Sequence, residues 1–72
     1  MDAISTATRG MQQALSRMDN HAQRLASMSA DPTIDPTPEI IGTMQAKAVF
    51  MANLQIAKRA DAALGSLLDT WA

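Results

Sequence analysis

The chain has no cysteine and no tyrosine, and only one phenylalanine, one tryptophan and one histidine. Without cysteine there is no disulfide framework, and a lone histidine leaves no cluster with metal-cage spacing. So few aromatics, beside abundant Ala, Met, Leu, Gln and Arg, argue against a β-sheet and for helix. Neither sign of charge prevails. Six Lys and Arg against seven Asp and Glu leave a net charge of -1, without the basic stripe of a general nucleic-acid binder. No apolar run reaches the length of a membrane span, so membrane insertion is not expected. The first residues, MDAISTATRGMQQ, lack the basic start and apolar block of a secretory signal, so any export is expected to proceed without signal cleavage.

What remains is short and helical. Seventy-two residues make one domain at most, and a lone core of that size is marginal; assembly with other chains is the usual remedy. Ile4, Met11, Met18 and Leu25 recur every seventh residue, and Ala7, Ala14, His21 and Met28 follow the same rhythm three positions later. This is a heptad seam of small and flexible side chains, and it predicts a first helix over about residues 3–29. Asp2 or Ser5 can cap its start. Gly10 lies beside the seam and costs about 1 kcal/mol of helix propensity.

All three prolines fall in the stretch DPTIDPTP, residues 31–38. Pro32 and Pro36 disfavour helix at the residue before each, so the first helix must stop near Ala30. Thr37 suits an N-cap, Pro38 the first helical position and Glu39 the positive end of the helix dipole. A second helix is therefore expected over about 38–71, and the whole is expected to be an all-α, antiparallel, coiled-coil-like helical hairpin.

On the second helix an apolar arc around Phe50, Leu54, Ile56, Ala57, Ala60, Leu64, Leu67, Leu68 and Trp71 fills about half the circumference. That is wider than one partner helix covers, which points to further chains and a helical oligomer. Asn53 and Asp61 interrupt the arc. Either they lie at its margin in water, or they bond across a helix contact and fix its register.

No catalytic constellation is present, and no enzymatic activity or cofactor is expected. His21 occupies a seam position, where packing is the ordinary role. Asp31 and Asp35, each followed by proline, read as turn formers. The six methionines at helical positions read as adaptable packing. Arg9, Arg17 and Arg24, eight and seven residues apart, form a flank that is either solvated or paired with a neighbouring subunit.

FMANLQIAKRADAALGSLLD, residues 50–69, resembles the C-terminal helix of the bacterial flagellar axial proteins, the rod and hook family. That helix typically runs from an aromatic through Ala-Asn to a Thr-Ala-Asp-x-x-Leu-x-x-Leu-Leu ending. Phe50, Ala52-Asn53, Ala60-Asp61, Leu64, Leu67 and Leu68 fall in register, with Arg59 where Thr is usual. The first helix is similar to the family's N-terminal helix at Gly10-Met11 and Arg17-Met18-Asp19. Its Asn-Asn-Ile-Ala-Asn motif survives only as Leu25-Ala26. In that family a β-rich outer domain usually separates the two helices; here the proline-rich connector stands in its place.

The resemblance implies a structural subunit of the flagellar rod or hook, located in the basal body and exported by the flagellar type III apparatus. Its partners would be itself or other axial proteins. The candidate subunit interface comprises Ile4, Met11, Met18, Leu25, Ile41, Met44, Phe50, Asn53, Leu54, Asp61, Leu64, Leu68 and Trp71. The alternatives are a cytoplasmic adaptor that mimics the terminal helices of axial subunits, and an unrelated self-associating bundle.

Overall fold

The computed structural model describes residues 3–71. Two helices, α1 (Ala3–Met28) and α2 (Thr37–Trp71), lie antiparallel as a hairpin with extents of 63 × 16 × 13 Å. Among the described residues there is no strand.

The connector is built from two copies of one short device, Asp-Pro-Thr. Asp31 Oδ1 accepts from the Thr33 backbone N–H at 3.0 Å and from the Thr33 hydroxyl at 2.6 Å. Asp35 Oδ1 accepts from the Thr37 N–H at 3.0 Å. Such Asx turns let an aspartate satisfy backbone donors that proline's fixed geometry leaves outside a helix. The bonds hold both carboxyls below the ordinary aspartate range, that of Asp31 through the Thr33 side chain first and its backbone second, that of Asp35 through the Thr37 backbone first. No described residue has a positive φ, so the turn needs no glycine and contains none.

These turns shift the helix ends slightly from their expected places. α1 stops at Met28, because the Asp31 N–H closes a tight turn onto the Met28 carbonyl at 2.9 Å. At the other end the Pro36 carbonyl accepts from Ile40 N–H at 3.1 Å and so begins α2. Thr37 is therefore inside the first turn rather than its cap, and Asp35 satisfies its N–H instead. Ser5 likewise lies within α1, not before it, and the other proposed cap, Asp2, is outside the described residues.

The core is narrow. Among the described residues only Ala7, Ala14 and Ala46 are buried. Methyl side chains at these levels let the helices approach closely, while Met11, Met18, Leu25, Phe50 and Leu54 line the edges half-buried. Three alanines remove little apolar surface, at about 25 cal/mol per Å². The single hairpin is thus held largely by half-buried flanks.

Candidate functional site

Two contacts set the alignment of the helices, and each places a polar side chain of one helix over a glycine of the other. A Cβ built on Gly10 would stand 2.5 Å from the Asn53 carboxamide, and one on Gly42 would stand 2.5 Å from the His21 ring. Glycine is needed here for close approach, not for backbone freedom. Gly10 and His21 are eleven positions apart on α1, and so are Gly42 and Asn53 on α2. Eleven residues is three turns, so both members of each pair fall on the seam.

Asn53 also donates from Nδ2 to the Val49 carbonyl of its own helix at 3.0 Å. It packs across the seam and bonds along it. Of the two readings left open by the sequence, the structure thus puts Asn53 inside the contact, though within one chain. Asp61 is exposed.

At the closed end of the hairpin, His21 Nδ1 hydrogen-bonds the Glu39 carboxylate. Arg24 Nη1 lies 3.6 Å from the other carboxylate oxygen. Glu39 is well covered, with a side-chain exposure of 14%. The His21 hydrogen bond, more than the Arg24 charge, holds its carboxyl below the usual glutamate range, against an opposing desolvation. Arg24 thus has a carboxylate neighbour in its own chain, while Arg9 and Arg17 are exposed. The sequence signals a packed His21 and reads Glu39 as a helix-start residue, without joining the two. The missed signal was the matched spacing of Gly10 with His21 and of Gly42 with Asn53.

The candidate interface residues divide into two groups. Ile4, Met11, Met18, Leu25, Phe50, Asn53 and Leu54 are half-buried on the seam that joins α1 to α2. Ile41, Met44, Leu64, Leu68 and Trp71 are exposed large apolar side chains, with Trp71 at 82%. Leu15, Val49, Met51, Ile56 and Leu67 are exposed as well. The apolar arc of α2 is thus only partly covered by α1, and past Ala60 every described residue is exposed.

Among the described residues no three His, Cys, Asp or Glu side chains stand together as a metal site. A hollow of about 420 Å³ is an open depression where Ile34 of the connector lies beside Asn20, Arg24 and Met28. No helix among the described residues is long and apolar enough to cross a membrane. No protein-family model, curated protein or solved structure matches the chain.

Proposed function

We propose that the chain is a non-catalytic structural subunit that assembles through its helices, in the manner of a bacterial flagellar rod or hook protein. One observation carries the assembly part. α2 leaves Leu64, Leu67, Leu68 and Trp71 in solvent over its last turns, a contiguous apolar surface of the kind that marks an interaction site. The flagellar part is supported by the residues that resemble the family's terminal helices, from Phe50 to Asp69 and around Gly10 and Arg17.

The test is made in the bacterium that encodes the chain. A tagged copy should co-purify with isolated basal bodies, carry its intact N-terminus, and be required for motility. Absence from the basal bodies, together with unchanged motility on deletion, sinks the flagellar reading. Absence from basal bodies combined with tight binding to a free axial subunit in the cytoplasm would replace it with the adaptor.

A further inference from the structure

The seam of α2 does not end where α1 does. The opposed positions 10 and 53 add to the same total as 21 and 42, which sets Ala3 level with Ala60. Residues 61–71 run on beyond the described start of α1, for about 16 Å at 1.5 Å per residue. Within them Leu64, Leu68 and Trp71 recur at helical spacing and continue the line that Phe50, Leu54 and Ala57 occupy under α1. They are 49%, 60% and 82% exposed. Gly65 sits in the same stretch. A Cβ there would meet nothing within 4 Å, whereas Gly10 and Gly42, on the seam between the two helices, each receive a polar side chain of the other helix.

We propose that residues 61–71 dock the same stretch of a second copy of this chain, running antiparallel. The first argument is continuity. The seam already accepts an antiparallel helix along its covered length, and a second α2 laid in line with α1 extends the same packing. The second is length. A two-fold axis near residue 66 brings the second copy's Trp71 level with Asp61, just beyond the described start of α1, so the second copy's α2 abuts α1 end to end while the two 61–71 segments lie side by side. The third is chemistry. In this alignment Leu64 meets the second copy's Leu68, and the reverse. Asp61, a carboxylate on an otherwise apolar line, faces the second copy's indole N–H, a donor that needs an acceptor when covered.

The joint is short, below the roughly 1,200–2,000 Å² of a stable interface. It also brings Asp61 of each copy within two residues, about 3 Å along the axis, of the other copy's Asp69. Pairing is therefore weak, in the range of about 10 μM to 1 mM, and strengthened by salt that screens the carboxylates. It concerns the pure chain and does not depend on the flagellar reading, whose test uses basal bodies.

The experiment is sedimentation equilibrium and small-angle scattering on the full chain between about 10 μM and 1 mM. The expected result is a monomer–dimer equilibrium whose dimer is about 110 Å long, twice the 63 Å of one hairpin less the overlap of about 16 Å. Leu68→Glu should weaken dimerisation at least tenfold while circular dichroism shows unchanged helix content. A chain that stays monomeric throughout overturns the proposal. So does a dimer no longer than one hairpin, an open-ended polymer, or a dimer that Leu68→Glu leaves intact; the last would indicate exchanged helices.

Discussion

Single residues fix how these two helices meet, and the three glycines separate the possible reasons for a glycine. In an exposed helix interior Gly→Ala gains about 1 kcal/mol. Gly65 has open space around it, so Gly65→Ala should raise the stability of the monomeric chain by about 0.5–1 kcal/mol in urea unfolding. Gly10→Ala meets the Asn53 carboxamide at 2.5 Å and should lose that gain and more, for a net cost of about 1–3 kcal/mol. Shortening the obstacle, in Gly10→Ala with Asn53→Ala, should recover most of the loss. If Gly10→Ala alone behaves like Gly65→Ala, the seam is looser than described. The Glu39 cluster carries a separate signature. Its carboxyl is held below the ordinary value of 4.5, first by the His21 hydrogen bond. A depressed folded value means that the contribution is complete above about pH 4.5 and is lost as pH falls through the folded value. The hairpin should therefore weaken on the acid side of pH 4.5, and Glu39→Gln should flatten part of that dependence. Asp31 and Asp35 shift in the same direction and leave a remainder. Acid unfolding curves that superimpose for Glu39→Gln and the parent chain would remove Glu39 from the account.

At the scale of elements, the two helices differ in support rather than in kind. α1 is backed along its described length by α2, whereas α2 is backed only to Ala60. Amides in 61–71 should exchange with solvent much faster than those in 42–57, since local opening there uncovers no packed surface. Leu64→Ala should cost the monomer less than about 0.5 kcal/mol, the value for an exposed site, rather than the 2–5 kcal/mol of a buried leucine. A cost in the buried range would show that the end of α2 is covered even in the single chain. The elements themselves were plain in the sequence, because proline punctuation and seven-residue spacing are local signals. The alignment of the two helices was not. It depends on which side chain of one helix rests on which glycine of the other, and a heptad of Ala and Met tolerates several alignments. The expected cap at Thr37 missed for a related reason. The Pro36 carbonyl accepts from Ile40 N–H and takes Thr37 into the first turn, where Asp35, two residues earlier, accepts from the Thr37 N–H. Ile41 and Met44, named as subunit interface for their apolar character, are exposed in the single chain; hydrophobicity marks them as interface without saying which interface.

The whole molecule is a thin rod with three buried alanines and a large share of its apolar side chains in solvent. A chain of this size cannot draw much stability from so small a core, and any copy or partner that covers the exposed faces adds stability by mass action. That separates the roles of Asn53 and Asp61, which the sequence presented as equivalent interruptions of one arc. Asn53 lies over Gly10, and its replacement acts inside the hairpin. Leucine is bulkier than the carboxamide where the glycine allows no room, so Asn53→Leu should lower the unfolding midpoint of the chain at every concentration. Asp61 is exposed, one position past the level of the described start of α1, and its replacement is expected to act between molecules. Asp61→Leu should leave the midpoint unchanged at low micromolar concentration. At high concentration it should raise the midpoint, because it removes a carboxylate and adds apolar area where chains meet. It should also broaden the distribution of oligomers, since leucine gives up the single directional bond that favours one alignment. Thermal unfolding of both variants across a hundredfold concentration range distinguishes the two roles. Equal effects of Asp61→Leu at both ends of the range would mean that Asp61 acts within the chain, and that α1 or its first residues reach farther along α2 than Ala60.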